Sequence, residues 1–408
     1  SLSFFFFFYP RLRKVSTGLL AVGVVLLGVL FAFRTTPFVR SIPALGNLLN
    51  TTVSGGSSST RIMAWGIAVD AWKEKPVFGW GPNNYYYAFN KYYKPEFLRH
   101  GWGETWFDNA HNVIMNTLST QGMVGILAYA GMFGAAAYLL ILRAKKDPSQ
   151  FPFVVIGLSF LSAHLVHNVF VFENPTSYLY FFTFLAYISS GHSEAPVVEN
   201  STVSSASFAT FLLIGLIFIF ATDYNPMRAN KATLAYLKEV YSGRGTVEGL
   251  DRVLAIPTPH VDDVRNDVAR AVDQVYLTLL GMGEQGKVPM QNMRPLAERA
   301  IAECDKNLVL HPEDIRIHLQ KSQISMSLGR AFNQPEYILQ SEKYLRDALV
   351  YSPQRQQVIY MIATILFQFG KFDEGFALMR QSISDDPVVG EGWWRMMMIY
   401  KEIGEVDK

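Results

Sequence analysis

The sequence predicts an all-α protein, in which a polytopic transmembrane helical domain is followed by a soluble domain of helical repeats. Charged residues make up 17% of the 408 residues, against about 25% in an average soluble protein. The long apolar stretches lie before residue 223, and residues 223–408 have the mixed composition of an ordinary charged helical domain. We therefore expect one part of the chain to lie in a membrane and the other in water.

Several apolar stretches approach the length that a helix needs to cross a bilayer core of about 30 Å. The predicted spans are residues 17–33, 123–142, 151–172, 178–190 and 208–222, of which 178–190 is the shortest. Residues 4–9 resemble the end of a further span. Because the chain begins without Met inside this apolar run, we interpret it as the later part of a longer protein. The predicted domains are 1–190 for the membrane domain, 191–207 for a linker, 208–222 for a last span and 223–408 for the repeats.

Clusters of basic residues predict the orientation of these spans. One cluster follows residues 4–9 and another follows residues 123–142, and both are expected on the cytoplasmic side. They consist of Arg11, Arg13 and Lys14, and of Arg143, Lys145 and Lys146. The loop 34–110 is then extracytoplasmic, and counting the spans places the repeats outside too. The linker contains no Lys or Arg, so its composition does not support the cytoplasmic position that this count gives it.

Composition excludes several classes of function. The net charge is +2 and no basic stretch has the spacing of a nucleic-acid site, so no nucleic-acid partner is expected. The single cysteine, Cys304, rules out an internal disulfide and a cysteine metal cluster. In its helical surroundings we expect Cys304 to pack as a small apolar residue.

The outer loop contains a predicted helix that starts near Arg61 and ends before Pro76. Ser59 or Thr60 is a suitable N-cap, which would place Arg61 at a helix N-terminus, where free N–H groups favour an anion. The planar fork of arginine suits phosphate oxygens. The alternative is an arginine that is solvated or contacts lipid headgroups.

A turn and many aromatic residues follow this helix. Residues 79–83 combine two glycines with a proline, which predicts either a tight turn or a phosphate cradle. Aromatic residues of this kind collect at membrane interfaces, and they also stack on sugar rings. They are Trp80, Tyr85, Tyr86, Tyr87, Phe89, Tyr92, Tyr93, Trp102 and Trp106, and Trp65 precedes them on the Arg61 face.

His111 is the candidate for proton transfer. Asp108 or Asn109 could cap the following helix and so place His111 in its first turn. An imidazole titrates near neutral pH and can accept a proton, and an ionisable residue near the end of a span is a functional candidate. The neighbouring Asn112 offers a donor and an acceptor. The alternative is a structural histidine.

A second histidine pair lies near the outer end of residues 151–172. His164 and His167 are three residues apart, so they are expected on one helix face, with Asn168 beside them. A metal site would need a further converging ligand, and Glu173 is the candidate. The mixed spacing disfavours zinc, and we predict no metal.

The order of these residues resembles the O-antigen ligase/polymerase superfamily. The resemblance rests on Arg61-x-x-x-Trp65, on the segment 76–84 with Gly79, Gly81 and Asn84, on His111-Asn112 with Gly122-x-x-Gly125, and on His164-x-x-His167-Asn168 before residues 178–190. It extends over about residues 17–190. No single motif is specific, but their order and their placement relative to the spans are.

The resemblance implies a bacterial cytoplasmic-membrane transferase without cofactor or metal. Its donor would be a glycan on undecaprenyl diphosphate, its acceptor a hydroxyl of a glycan, lipid or protein, and its reaction would invert the anomeric carbon. Arg61 would bind the diphosphate and His111 would meet the hydroxyl. Substrate contacts would come from Trp65, Trp80, Asn84, Asn112, His167 and Asn168. Members of this superfamily use further basic residues from earlier spans, and other relatives polymerise lipid-linked units or glycosylate proteins.

Residues 223–408 carry a helical repeat. Gly329, Gly370 and Gly404 recur at intervals of 41 and 34 residues, and so do Pro312, Pro353 and Pro387. A period of 34 residues is typical of tetratricopeptide helix pairs, and the longer interval predicts an insertion near residues 333–339. We therefore expect a tetratricopeptide-like α-solenoid with a protein partner on its surface. A membrane-anchored scaffold is the alternative function of another class.

Overall fold

The computed structural model describes residues 13–33, 36, 57–190 and 204–404. These residues form helices and connecting turns, and no strand occurs among them. Contacts divide the chain into two compact units, one mainly before residue 198 and the other mainly after it. The predicted all-helical class is therefore correct. The span end at 4–9, the beginning of the outer loop and most of the linker lie outside the described residues.

The described residues of the first unit form six α-helices. They are α1 (Arg13–Ala32), α2 (Ser57–Glu74), α3 (Tyr85–Lys91), α4 (Val113–Lys146), α5 (Phe151–Phe170) and α6 (Pro175–Ser190). Short 3-10 helices occupy Pro95–His100, Trp102–Glu104 and Pro148–Gln150. As predicted, α2 ends before Pro76, because proline cannot supply the N–H that a continuing helix needs.

Three helices are long and apolar enough to cross a membrane, among the residues that the structure describes. They are Val113–Lys146, Pro148–Phe170 and Ser205–Tyr241. The first and third include the predicted spans 123–142 and 208–222, and the second covers the predicted span 151–172 up to residue 170. Helix α6 covers the predicted span 178–190 but has 16 residues, about 24 Å of helix at 1.5 Å per residue. The orientation of the spans stays a prediction.

Helix α4 is broken near its N-terminal end. Its 34 residues would measure about 51 Å, well beyond a bilayer core. Gly122 has φ 64° and ψ −158°, which interrupts the helix between a short N-terminal segment and a long apolar one. Helix α4 packs with α2 and α3, and its segment before Gly122 accepts hydrogen bonds from residues 80 and 81, so the loop between the spans is partly built from the same helix as the span itself.

Aromatic side chains form the core of the outer loop. Phe89 of α3 packs against Phe97 and Phe107 with ring centroids 5.1 and 5.4 Å apart. The buried Tyr85 donates its hydroxyl to the Ala64 carbonyl of α2 at 2.6 Å. The aromatic residues predicted for an interface or for sugar stacking are thus divided: Tyr85 and Phe89 are buried in the protein, whereas Trp102 is exposed.

The second unit consists of successive helices. They are α7 (Ser205–Ile219), α8 (Asn225–Tyr241), α9 (Val247–Leu254), α10 (Val261–Gly281), α11 (Glu284–Leu310), α12 (Ile315–Phe332), α13 (Pro335–Tyr351), α14 (Gln356–Gln368), α15 (Phe372–Asp385) and α16 (Gly390–Glu402). A π-helical turn, Phe220–Tyr224, joins α7 to α8. Helix α7 begins at Ser205 behind the Ser204 cap, so the last three residues of the predicted linker are helical.

Helix hairpins make up the later part of this unit. Helices α12 and α13 form one pair and α14 and α15 another. The predicted insertion near 333–339 forms no separate loop, because a tight turn at Asn333 leads into α13 at Pro335. The longer interval arises because α12 and α13 have 18 and 17 residues, whereas α14 and α15 have 13 and 14. Cys304 is buried in the apolar core, as expected, and its burial raises the pKa of its thiol to about 12.

Candidate functional site

Arg61 lies in the second turn of α2 and reaches the end of α5. The helix begins at Ser57, so the four free N–H groups of its N-terminus precede Arg61, and the prediction that Arg61 starts the helix is wrong. Thr60, predicted as a possible cap, donates its hydroxyl to Glu104 Oε2 at 2.8 Å instead. The Arg61 guanidinium donates through Nη1 to the Phe170 carbonyl at 3.2 Å.

His111 lies immediately outside α4, in a turn that fixes its backbone. The predicted caps, Asp108 and Asn109, are wrong, because Asn112 caps the helix by accepting from the N–H groups of Ile114 and Met115. Asn109 Oδ1 accepts from the His111 N–H at 2.7 Å. His111 has φ 50°, in the left-handed region where asparagine, aspartate and histidine are the enriched residues apart from glycine.

The connection between α5 and α6 brings Arg61 and His111 together. Its Phe172 ring lies 5.5 Å from the His111 ring, edge to face, and Phe107 contacts the imidazole at 5.4 Å from another side. The Phe170 carbonyl that accepts from Arg61 is two residues before Phe172. Fifty residues of sequence separate the arginine from the histidine, yet both contact the same short segment.

The surroundings of His111 favour its neutral form. Partial burial lowers the pKa of His111 below its ordinary 6.5, and the positive charge of Arg61 lowers it further. Asp108 and Glu104 oppose this shift by smaller amounts. Near pH 7 the imidazole is then a free base able to accept a proton.

Two predicted substrate residues support the His111 turn. Trp65 donates its indole N–H to the Ala110 carbonyl at 2.9 Å and so ties α2 to the residue before His111. Asn112 is buried, and its Oδ1 is occupied by the helix cap. These groups hold the histidine in place through contacts that the sequence motif did not reveal. Their predicted contacts with substrate stay predictions.

The segment 76–81 closes the break in α4. Trp80 and Gly81 donate their backbone N–H groups to the carbonyls of Ser119 and Thr120 at 3.0 and 2.8 Å. Across the break, Met123 and Val124 donate to the carbonyls of residues 76 and 77 at 2.8 and 3.2 Å. These four bonds use the backbone groups that a helix break leaves unpaired. The glycine turn is therefore part of the helix break, which accounts for the N–H groups of residues 80 and 81 without a phosphate.

Trp80 and Asn84 lie in and next to the segment 76–81 that contacts the break in α4. The Trp80 indole donates to the Ala71 carbonyl at the end of α2 at 3.0 Å, and Lys75 Nζ lies 3.9 Å from the Trp80 ring. Asn84 Nδ2 donates to the Trp80 carbonyl at 3.1 Å. Trp80 and Asn84 thus contact the end of α2 and the turn beside the break in α4. Arg61 and His111 instead contact the α5–α6 connection.

Replacing Gly79 or Gly122 by alanine should destabilise the outer loop. A Cβ at Gly79 would lie 2.4 Å from the Thr120 carbonyl carbon, and one at Gly122 would lie 2.4 Å from the Val77 oxygen. Both residues also have positive φ. We expect a loss of roughly 2–4 kcal/mol from left-handed strain and overpacking, measured as a lower unfolding temperature. Gly131→Ala is the control, because its Cβ meets nothing within 4 Å. If Gly79→Ala and Gly122→Ala unfolded at the same temperature as Gly131→Ala, the close contact between the two backbones would be contradicted.

The second histidine pair is divided between two environments. His164 packs inside, stacked on Phe181 with ring centroids 4.4 Å apart, whereas His167 is exposed. Their spacing predicted that both would lie on one helix face, but only His164 packs against other helices. Asn168 is buried and donates to Tyr129 and Glu173. Among the described residues, no group of three His, Cys, Asp or Glu side chains is placed to hold a metal ion.

Glu173 is the residue that the sequence analysis considered only as a metal ligand. Its carboxylate accepts from Asn168 Nδ2 and from Ser177 Oγ, and His164 Nε2 lies 3.3 Å away. The position of Glu173 in the sequence could have indicated these hydrogen bonds. A carboxylate between two apolar helices needs partners there.

Comparison with protein families adds to this geometry. Residues 1–130 match the family model described as O-antigen ligase. The match contains Arg61 and His111, and it ends before the α5–α6 connection, so the resemblance noted for residues 164–190 lies outside it. No curated protein and no solved structure matches the chain. The similarity to O-antigen ligases suggests a membrane protein with a glycan-transfer or polymerase-type role.

Proposed function

We propose that this protein transfers a glycan from undecaprenyl diphosphate to an acceptor hydroxyl at the outer face of a bacterial cytoplasmic membrane. The observation that carries the proposal is the meeting of Arg61 and a neutral His111 at the α5–α6 connection. Both residues lie within the part of the chain that is similar to O-antigen ligases. A cation and a base next to a membrane helix are the groups that this reaction needs.

The reaction is a displacement at the anomeric carbon. The acceptor oxygen forms a bond to that carbon while the bond to the diphosphate oxygen breaks, so the configuration inverts. The hydroxyl proton goes to His111, and the electron pair of the broken bond stays with the departing lipid diphosphate. General-base catalysis serves the first change, and a fixed cation stabilises the charge that develops in the second. We propose that these steps need neither a metal nor a cofactor.

Arg61 has N–H groups left for a diphosphate. A guanidinium carries five N–H donors in a planar fork, and among the described residues the Phe170 carbonyl is the hydrogen-bond acceptor that Arg61 contacts. The side chain is half-buried, which orients the fork without removing it from solvent. Phosphate oxygens are suitable partners for the remaining donors.

The acceptor distinguishes transfer to one acceptor from polymerisation. A ligase-type reaction adds one preassembled glycan to a glycan, lipid or protein hydroxyl, whereas a polymerase-type reaction extends a lipid-linked glycan and gives a ladder of lengths. The test is to mix the purified full-length protein with undecaprenyl-diphosphate-linked glycan and each acceptor class, and to separate the products by size. We expect product only with lipid-linked donor. Absence of product with every acceptor would contradict the transferase.

Labelling of an engineered cysteine tests the orientation. Lys73 is 64% exposed on α2, and the native Cys304 is buried with a raised thiol pKa, so it should give little background. Lys73→Cys should react with an impermeant thiol reagent added to whole cells. A cysteine at Lys145, beyond the apolar part of α4, is the matched control and should react only after lysis. The opposite pattern would place Arg61 and His111 in the cytoplasm, away from the proposed donor.

The helical hairpins after residue 225 support a second role within the same protein. We propose that they form a tetratricopeptide-like surface for a protein partner, since stacked helix pairs commonly bind proteins. The scaffold alternative assigns the function to this surface alone and gives Arg61 and His111 no role. Glycan transfer that depends on these two residues would favour the transferase.

A further inference from the structure

A buried polar cluster joins three helices beside the proposed site. Asn168 of α5 donates its amide to Glu173 at 2.6 Å and to the Tyr129 hydroxyl of α4 at 2.8 Å. Ser177 of α6 donates its hydroxyl to the other carboxylate oxygen of Glu173 at 2.7 Å. His164 Nε2 lies 3.3 Å from the Glu173 oxygen that Asn168 contacts. The carboxylate is therefore held from both adjoining helices.

Because this cluster is buried, its hydrogen bonds favour a single arrangement of the side chains. The side chains of Glu173 and His164 are each 9% exposed, and Asn168 is fully buried. A buried carboxylate is expensive unless hydrogen bonds or charges compensate it, so the cluster has a strong preference for one arrangement. The segment 171–174 between α5 and α6 is thus held at Glu173.

The neighbours of Glu173 in the chain contact the proposed site. Phe172, directly before it, packs against the His111 ring. The Phe170 carbonyl, three residues before it, accepts from Arg61. A shift of Glu173 would move the surfaces against which both side chains rest. Hydrogen bonds that only join helices could lie anywhere along them. Those of Glu173 lie directly beside Phe172, which contacts the His111 imidazole.

We propose that Glu173 is a positioning residue for glycan transfer, which holds the α5–α6 connection so that Phe172 and the Phe170 carbonyl fix His111 and Arg61. This inference rests on the proposed function. Glu173 itself touches neither reacting group. It acts through Phe172 on the direction of the imidazole, and a displacement of a reacting group by about 1 Å can lower a rate a hundredfold.

Removal of the hydrogen-bond acceptor provides a sharp test. In Glu173→Met, no oxygen remains to accept from Asn168 and Ser177, so both donors lose their bonds. Glu173→Gln keeps the hydrogen bonds, because the Asn168 amide can rotate so that its Oδ1, which has no hydrogen-bond partner among the described residues, accepts from the glutamine amide. We expect kcat to fall roughly tenfold to a hundredfold in Glu173→Met and to stay near the native value in Glu173→Gln. Asp147→Asn is the matched control at the opposite end of α4 and α5, where asparagine caps as well as aspartate.

Two further readouts separate positioning from general stability. Amide hydrogen exchange in residues 105–116 and 168–176 should be faster in Glu173→Met and normal in Glu173→Gln and in Asp147→Asn. In a His111→Ala background, Glu173→Met should add little further loss of kcat, since both changes remove the same function. Unchanged exchange in Glu173→Met, or a loss that is equally large in both backgrounds, would overturn the proposal. If Glu173→Met does not fold, Asn168→Leu removes the donor from α5 and should show the same loss of kcat and faster exchange, and normal values there overturn the proposal.

The exchange measurement does not depend on activity. If the native protein transfers no glycan, the proposed function fails, and the comparison of exchange between Glu173→Met and Glu173→Gln still decides whether Glu173 holds the His111 turn. If transfer is normal in Glu173→Met, the positioning role fails and the proposed function stands.

Discussion

Replacing His111 by alanine is expected to lower the turnover number about a hundredfold or more, the usual range for loss of a general base. The neutral imidazole would take the proton of the acceptor hydroxyl as that oxygen attacks. Donor binding should change little, because Arg61 holds the diphosphate in this proposal. Turnover and donor binding are measured separately, with purified protein and lipid-linked glycan. His100→Ala is the matched control, since His100 is a half-buried histidine of the same loop that makes no contact used by the site.

The backbone at His111 decides which second variant is informative. With φ 50°, most residues would be strained, whereas asparagine tolerates this region and keeps a hydrogen-bonding side chain without basicity. An inactive His111→Asn variant that folds and binds donor would support proton transfer. Recovery of activity in that variant would mean that His111 only orients the acceptor. Normal turnover in both variants would remove His111 from the mechanism.

Local sequence patterns were sufficient for the helices but not for their ends. Apolar runs predicted the long spans because burial in lipid requires them, and Pro76 marked the end of α2 correctly. The cap of α4 was missed. Asp108, Asn109 and Asn112 are all suitable caps by residue type, and the choice depends on contacts such as the Trp65 bond to the Ala110 carbonyl. Trp65 and Ala110 are 45 residues apart, so the residues near the start of α4 cannot by themselves predict this bond.

The glycine turn shows a second limit of sequence reasoning. Gly79 and Gly81 suggested a tight turn or a phosphate cradle. The structure pairs residues 76–81 with the break at Gly122 through four backbone hydrogen bonds. Glycine is needed at 79 and 122 because the two backbones approach each other. A contact across forty residues cannot be derived from either segment alone.

The candidate site depends on a segment that no motif marked. Arg61 and His111 were selected for their chemistry, and both contact the connection that contains Phe172 and Glu173. Asn168 and Glu173 are five residues apart, on either side of the end of α5, so their hydrogen bond could not be predicted from helical spacing. The sequence thus proposed the reactive groups, and the structure supplies the residues that hold them.

Replacing Arg61 by alanine is expected to lower kcat/KM for the lipid-linked donor by roughly a hundredfold to a thousandfold, the range for loss of one group that stabilises developing negative charge. Lysine should restore only part of this, because it keeps the charge without the planar fork. Arg99→Ala is the matched control, an exposed arginine of the same loop. Full activity in Arg61→Ala would remove this residue from the donor site.

Arg61 should also control the pH dependence of the reaction. Its charge is the second cause, after burial, of the lowered pKa of His111. Transfer requires the neutral imidazole, so kcat/KM should fall as the pH drops through that pKa, which lies below 6.5 in the native protein. Removing the cation in Arg61→Gln raises the pKa, and the fall should begin at a higher pH. Arg61→Lys keeps the cation and should leave the pH of the fall nearly unchanged while its rate stays low. A fall at the same pH in Arg61→Gln and the native protein would mean that the two side chains do not act in one site.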